Sequence, residues 1–283
     1  MYDCAIIGGG PAGVSAALNL KLLGKNFIWL STHAVSHKAA LAEKIKNYPG
    51  LPDVSGDGLV RALLSHAQAM GINPVEKFVS GVYDTDKSFT LTAGNDNYEA
   101  RTVILCAGVQ SSAGIEGEEG FVGRGVSYCA TCDGFLYKGK TIAVLCTDKS
   151  FEHEAEYLCD LAGKAYVMPL YADYKIISPN AEVILKKPSR LSGGMRLEKV
   201  WFKDDSVSVD GMFILRGALA PSTLVRGLET DGAHVVVDRA CRTNIAGIFA
   251  AGDCTGRPYQ YAKSVGEGNV AAHSVVQFLA ENK

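Results

Sequence analysis

The sequence of 283 residues lacks a long apolar run, a low-complexity tract and a strong charge of either sign. A helix that spans a bilayer needs about 20 consecutive apolar residues, so we expect no membrane association. Lys and Arg number 28 and Asp and Glu 30, for a net charge of −2, which gives no reason to expect nucleic acid as a partner. Because the first residues already have the pattern of a strand, we expect no signal peptide and a cytoplasmic location.

Eight cysteines are present, but their spacing is not that of a disulfide scaffold. Cys129 and Cys132 form a CxxC motif, which in a reducing compartment is catalytic or metal-binding more often than structural. The other six stand at strand ends or in apolar stretches, where cysteine usually acts as a small buried hydrophobic residue. These six are Cys4, Cys106, Cys146, Cys159, Cys241 and Cys254.

Hydrophobic periodicity predicts two similar α/β units. A buried strand over residues 3–7, a helix over 11–23 and a second strand over 26–30 make a βαβ start. The pattern recurs with a strand over residues 141–146 and a helix over 150–162. The predicted fold class is therefore α/β, with two Rossmann-like domains of the three-layer ββα type, the second inserted into the first.

The inserted unit divides the first one in sequence. We expect the first domain to comprise residues 1–112 and 213–283, and the inserted domain, which carries the CxxC motif, to comprise residues 113–212. The first domain is expected to end in a helix over residues 266–281.

The turn after the first strand has the pattern of a dinucleotide site. Gly8, Gly10 and Gly13 fit GxGxxG between a strand and a helix, with Pro11 and Ala12 completing the turn. The first glycine permits the tight turn, the second lets a pyrophosphate approach the backbone, and the third lets helix and strand pack closely. The acidic residue expected on the ribose is absent, because Ser31, Thr32 and His33 follow the second strand.

A second candidate for the same site is the strand that ends at Gly252 and Asp253. Ligands bind at the carboxyl ends of strands in open α/β sheets, which favours a binding role for this aspartate. The alternative is an aspartate that merely caps the following helix.

The segment from Cys129 to Gly134 reads CATCDG and is the most informative stretch of the chain. Structural zinc would need two more ligands at comparable spacing, and the sequence has no second CxxC, so no metal site is predicted. A redox dithiol fits better, because this spacing lets two sulfurs bond and the site can lower the pKa of one thiol. Asp133 is a candidate proton donor and acceptor; the alternative is a turn residue before Gly134.

The order of these motifs resembles the low-molecular-weight thioredoxin reductases, members of the pyridine-nucleotide disulfide oxidoreductases, over essentially the whole chain. The resemblance implies FAD as cofactor, with Asp253 on the ribityl chain and Asn47 lining the flavin. The full set of implied FAD contacts is Gly8, Gly10, Pro11, Ala12, Gly13, Ser31, Thr32, Asn47, Ala107, Gly108, Gly252, Asp253, Gln260, Tyr261 and Ala262.

The same resemblance assigns roles around the dithiol. It implies that Cys132 exchanges electrons with the flavin, that Cys129 attacks the disulfide of the partner thioredoxin, and that Asp133 is the acid and base. It also implies a homodimer.

The inserted unit departs from the family pattern where NADPH would bind. No glycine occurs between residues 141 and 162, and Asp148 and Glu152 near the start of the helix would repel a pyrophosphate. The 2′-phosphate of NADPH needs arginines after the next strand, but residues 168–174 contain none. We therefore predict that NADPH is not the electron donor.

Two families with this architecture suit such a gap. In the ferredoxin-dependent flavin thioredoxin reductases, reduced ferredoxin delivers the electrons; in flavin dithiol oxidases, the electrons leave to oxygen. We favour ferredoxin as the donor, and keep an NADPH-dependent thioredoxin reductase, a dithiol oxidase and a non-catalytic flavin protein as alternatives. Residues 163–203 include eight basic and three acidic residues. This excess of positive charge suits an acidic ferredoxin but also an ordinary solvated surface.

The assigned roles make a first prediction. Replacing Cys129 by Ser should abolish thioredoxin reduction and leave flavin binding intact, because this thiol is expected to attack the substrate. The check is an activity assay beside the flavin absorbance of the purified variant. Thioredoxin reduction at the wild-type rate would contradict the assignment.

Overall fold

The computed structural model describes residues 1–32, 42–109, 114–128, 130–216 and 220–282, without the side chains of residues 119, 131 and 132. The chain forms two units, one of residues 1–110 with 218–283 and one of residues 111–217.

The strands are numbered in chain order. They are β1 (Cys4–Ile7), β2 (Phe27–Ser31), β3 (Val75–Glu76), β4 (Val79–Asp84), β5 (Phe89–Ala93), β6 (Asp96–Ala100), β7 (Val103–Leu105), β8 (Val126–Ser127), β9 (Thr141–Cys146), β10 (Lys164–Pro169), β11 (Ala181–Val183), β12 (Arg190–Gly193), β13 (Leu197–Phe202), β14 (Asp205–Ser208), β15 (Gly211–Leu215), β16 (Thr230–Asp231), β17 (His234–Val235) and β18 (Ile248–Ala250).

The helices are numbered likewise. They are α1 (Pro11–Leu22), α2 (Gly56–Ala69), α3 (Glu118–Phe121), α4 (Ala130–Asp133), α5 (Glu152–Leu161), α6 (Pro221–Leu224) and α7 (Tyr261–Glu281), with short 3-10 helices at Gly134–Tyr137, Lys149–Phe151 and Asp253–Thr255. In the ranges that the structure describes, no helix has both the length and the apolar character needed to cross a bilayer.

A five-stranded parallel sheet forms the centre of the first unit, in the order β18, β7, β1, β2, β3. Strands β1, β2, β7 and β18 are largely buried, whereas the edge strand β3 is exposed. Side chains of α1, α2 and α7 pack with the four buried strands in one hydrophobic core. Because all neighbours run parallel, the carboxyl ends of β1, β2, β7 and β18 lie along one edge. The unit also has two separate antiparallel sheets, one of β4, β5 and β6 and one of β16 and β17.

The second unit repeats this plan. Its parallel sheet has the order β11, β10, β9, β15, β8, α5 packs on it, and an antiparallel sheet of β12, β13 and β14 accompanies it. The repeated arrangement confirms the predicted α/β class with two Rossmann-like units, the second inserted in the sequence of the first.

The predicted boundary at residue 213 falls inside a strand. Strand β15 pairs in parallel with β9, with Gly211 opposite Ile142 and Leu215 opposite Cys146, so the whole strand belongs to the second unit. The apolar sequence of β15 predicts a buried strand but carries no information about which sheet it joins.

Helix α7 begins at Tyr261, five residues earlier than its predicted start at residue 266. Two glycines in its first turns, Gly266 and Gly268, give the segment low intrinsic helix propensity. The packing of α7 against α1 overrides that low propensity. The contact is close at Gly268, where a Cβ would lie 2.2 Å from the carbonyl oxygen of Ala12. The bare backbone at Gly268 therefore lets α1 and α7 approach closely.

This packing predicts opposite effects for two neighbouring substitutions. Gly268→Ala should lower the free energy of unfolding by about 1–3 kcal/mol, because the added methyl group overpacks the contact with α1. Gly266→Ala is the control: its Cβ would meet no atom within 4 Å, so it should raise stability by up to about 1 kcal/mol. Urea unfolding followed by circular dichroism measures both, and equal stabilities would contradict the packing.

Candidate functional site

The turn after β1 is held tightly by its neighbours. Gly8 has φ of 122°, and a Cβ there would lie 2.2 Å from the carbonyl oxygen of Cys106. The indole N–H of Trp29 donates to the carbonyl oxygen of Gly8 at 2.9 Å. A Cβ on Gly13 would lie 2.0 Å from that same oxygen, so both glycines are needed for the turn to form.

Gly10 differs, because a Cβ there would meet no protein atom within 4 Å. It is the N-cap of α1, with ordinary φ of −77°, and no side chain caps the helix. Open space beside a helix start that presents N–H groups fits a pyrophosphate. The residues present therefore fit the phosphate groups of FAD.

The turn after β18 lies beside this helix start. Gly252 has φ of 92° and ψ of −152°, a conformation nearly restricted to glycine, and a Cβ there would lie 3.0 Å from the Cβ of Ala12. The hydroxyl of Ser264 donates to Oδ1 of Asp253 at 3.2 Å. The two glycine turns that the sequence singles out are thus adjacent in the structure.

Other candidate FAD residues lie at the same edge of the sheet or beside it. Ser31 is the last residue of β2, and Thr32 follows it. Ala107 and Gly108 lie shortly after β7. Nδ2 of Asn47 donates to Oε1 of Gln260 at 2.8 Å, and Tyr261 and Ala262 begin α7 immediately after this glutamine. His33 lies outside the described residues.

The dithiol segment is described in part. Cys129 lies outside the described residues. The backbone of Cys132 lies in α4, and its side chain is not among the described parts of the chain. The carboxylate of Asp133 accepts a hydrogen bond from the hydroxyl of Ser127 at 2.6 Å and does not cap the following 3-10 helix. The proton-transfer role of Asp133 and the alternative of a turn residue before Gly134 both stay predictions.

The remaining six cysteines are free and buried. Burial raises the pKa of Cys4, Cys159, Cys241 and Cys254 to about 12. These thiols stay protonated at neutral pH and are poor nucleophiles. Among the residues that the structure describes, no cluster of three or more His, Cys, Asp and Glu side chains could hold a metal ion.

The equivalent turn of the second unit, after β9, is closed by its own side chains. Oδ1 of Asp148 accepts hydrogen bonds from the backbone N–H of Ser150 at 2.9 Å and from its hydroxyl at 2.7 Å. The N–H and the hydroxyl of Thr147 both donate to the carbonyl oxygen of Leu215 at 3.0 Å. A carboxylate therefore takes the N–H group that a phosphate would use.

A second carboxylate ties the loop after β10 to helix α5. Oε1 of Glu152 accepts from the hydroxyl of Tyr171 at 3.1 Å and from the N–H of Lys175 at 2.8 Å. Burial and hydrogen bonds with Cys146 and Glu152 raise the pKa of Tyr171. This loop would carry the arginines for a 2′-phosphate, and here it carries a neutral phenol bonded to an acid.

Comparisons with known proteins show the family to which the chain belongs. The family model described as pyridine nucleotide-disulphide oxidoreductase matches residues 2–146 and 178–268. The chain belongs to the pyridine nucleotide-disulphide oxidoreductase family. The family predicted from the sequence is confirmed.

Individual relatives cover nearly the whole chain. A thioredoxin reductase of Listeria monocytogenes is 30% identical, over 100% of this chain and 95% of its own. The crystal structure of a ferredoxin-flavin thioredoxin reductase from Clostridium acetobutylicum is 42% identical, with 99% and 98% of the two chains covered and a TM-score of 0.92. A thioredoxin reductase from Gloeobacter violaceus is 27% identical, with 100% and 95% covered and a TM-score of 0.81.

In this member of the pyridine nucleotide-disulphide oxidoreductase family, Lys263 and Glu267 hold the second glycine turn, and sequence reasoning missed both. Oε2 of Glu267 accepts from the N–H of Gly252 and the hydroxyl of Thr255, each at 2.8 Å. Nζ of Lys263 donates to the carbonyl oxygens of Gly252 and Gly256 at 2.9 and 2.8 Å. The i,i+4 spacing of opposite charges soon after Gly252 is the signal that could have found them.

The open space at Gly10 makes a specific prediction. Gly10→Val should lower FAD affinity by about 10- to 100-fold, because the side chain would fill the space assigned to the pyrophosphate. The backbone there accepts a side chain and no protein atom is near, so the variant should fold. Flavin titration of the apoprotein, with circular dichroism as the folding control, measures this, and unchanged affinity would contradict the assigned site.

Proposed function

We propose that this protein reduces the disulfide of thioredoxin through bound FAD and the Cys129–Cys132 pair, with electrons from reduced ferredoxin. The single observation that carries the choice of donor is the filled turn of the second unit, where the Asp148 carboxylate takes the place of a phosphate. The similar Clostridium acetobutylicum structure, which is that of a ferredoxin-flavin thioredoxin reductase, supports the same choice.

The first unit has the residues that FAD needs. Gly10 leaves space for the pyrophosphate, and Lys263 and Glu267 fix the turn that presents Asp253 to the ribityl chain. When bound, FAD would supply a group that accepts electrons singly or in pairs. The hydroxyls of Ser31 and Thr32 stand at the end of β2, where they can meet the ribose in place of a carboxylate.

The dithiol carries the pair of electrons to the substrate. The thiolate of Cys129 attacks the thioredoxin disulfide and forms a mixed disulfide, and Cys132 then resolves it and closes the Cys129–Cys132 disulfide. Reducing one thioredoxin disulfide to two thiols takes two electrons and two protons. Two reduced ferredoxins supply the electrons, and Asp133 is the proposed proton donor and acceptor.

The basic stretch of the second unit supports ferredoxin docking less than its charge count suggests. Lys164 forms an ion pair with Glu182, and Lys186 forms one with Asp205. Two of the eight cations are therefore compensated by neighbouring acids. The docking surface stays unassigned, and the homodimer implied by the family resemblance stays a prediction.

The donor is tested by an anaerobic titration of the oxidised holoenzyme. An excess of NADPH should leave the flavin absorbance unchanged, since a carboxylate takes the N–H group of the turn after β9 and the loop after β10 has no guanidinium group. Reduced ferredoxin should bleach the flavin and then convert added thioredoxin disulfide to dithiol, measured by thiol alkylation.

Two outcomes would contradict the proposal. Prompt bleaching by NADPH would make the protein an NADPH-dependent reductase. Hydrogen peroxide release during dithiol oxidation in air, with no thioredoxin reduction by any donor, would make it a dithiol oxidase.

A further inference from the structure

A buried charged cluster lies beside the dithiol segment. The side chains of Glu118 and Arg216 form an ion pair, and their exposed fractions are 6% and 12%. The hydroxyl of Tyr128 donates to Oε1 of Glu118 at 2.6 Å, and the N–H of Ile115 donates to its Oε2 at 3.0 Å. Both oxygens of this carboxylate are thus engaged.

Tyr128 is held at two points. Its hydroxyl is bonded to Glu118, and the guanidinium of Arg216 lies 5.1 Å from the centre of its ring. The residue is 6% exposed, and it is joined by one peptide bond to Cys129. Fixing its side chain therefore restricts the backbone on the amino side of the dithiol.

Burying the charges of this cluster costs free energy that its contacts do not fully offset. Burial lowers the pKa of Arg216, and its Nε has no hydrogen-bond partner among the described residues. Apolar residues of similar volume are often as stabilising as a buried ion pair, whereas charged groups can fix one specific geometry. This cost points to a positional role for the cluster.

A second contact restrains the other side of the dithiol. The hydroxyl of Ser127 donates to Oδ2 of Asp133 at 2.6 Å. Ser127 ends β8 and Asp133 ends α4, so this bond closes the seven-residue segment that contains both cysteines. We call Ser127, Tyr128, Glu118 and Arg216 the dithiol clasp.

We propose that the dithiol clasp positions Cys129 and Cys132 for disulfide closure, with Ser127 and Tyr128 as positioning residues. This inference rests on the redox role of the two cysteines. A disulfide needs a narrow range of Cα and Cβ separations. A segment restrained at both ends loses less conformational entropy when the bond forms, so the clasp stabilises the disulfide relative to the dithiol.

Two substitutions remove one hydroxyl each from the dithiol clasp. Tyr128→Phe and Ser127→Ala should each make the Cys129–Cys132 disulfide about three- to tenfold easier to reduce; a tenfold change corresponds to about 30 mV. Ser127→Thr keeps a hydroxyl and should restore the wild-type equilibrium.

The same unit offers matched controls. Tyr171→Phe breaks another Tyr–Glu hydrogen bond, to Glu152, and Ser150→Ala breaks another Ser–Asp hydrogen bond, to Asp148. Both lie at the filled turn and its loop, outside the proposed dithiol machinery, and should leave the equilibrium within about twofold of wild type.

The measurement is the fraction of disulfide in the full-length holoenzyme equilibrated in glutathione buffers, quenched in acid and alkylated. Trypsin releases residues 125–138, a peptide whose only cysteines are Cys129 and Cys132, so mass spectrometry reads this pair alone. Clasp variants that match wild type, or controls that shift equally, would overturn the inference. The buffers contain no ferredoxin, so an error in the proposed electron donor would not affect this test. A wild-type peptide that never forms a disulfide would refute the redox role of the two cysteines.

Discussion

The hydrogen bonds from Ser150 to the carboxylate of Asp148 are the constraint on which the account of electron supply depends. A helix start attracts anions through its free N–H groups and the positive end of its dipole. At the turn after β9, that attraction is already satisfied by an anion that belongs to the chain. A nucleotide phosphate would have to displace Asp148 and then remain close to its charge and to that of Glu152.

The two units show how one topology yields two different surfaces. Next to β1 lie β2 and then β3 on one side and β7 on the other, and next to β9 lie β10 and then β11 on one side and β15 on the other. The outermost strands differ, since β18 comes last in its sheet and β8 precedes β9. In both units a short turn joins β1 or β9 to a helix. After β1 the turn has bare backbone, and Gly10 faces space with no protein atom within 4 Å of its absent Cβ. Cys146 ends β9, and Thr147 and Asp148 follow it in the turn; the polar groups of all three bond within the unit. Binding capacity therefore follows the turn residues and not the fold.

Features that depend on local sequence could be predicted, and features that depend on distant partners could not. GxGxxG, the CxxC motif and the absence of glycine after β9 are visible within a few residues. The sequence predicts repulsion of a phosphate by Asp148, but the capping bond to Ser150 appears only in the structure. The sheet that β15 joins, the start of α7 and the bond between Asn47 and Gln260 depend on contacts that span many residues.

Together these features describe a family member with the sequence motifs of a flavin site and a dithiol segment. In the turn where a nicotinamide coenzyme would bind, the N–H group of Ser150 is already bonded to Asp148. Under the proposed function, electrons enter at the flavin from a protein donor and leave through the dithiol. The most direct test is calorimetric titration of the oxidised holoenzyme with NADPH. We expect no saturable binding up to about 1 mM, the top of the usual range of KM values. Saturable NADPH binding in the micromolar range would contradict the proposal that this protein does not use NADPH.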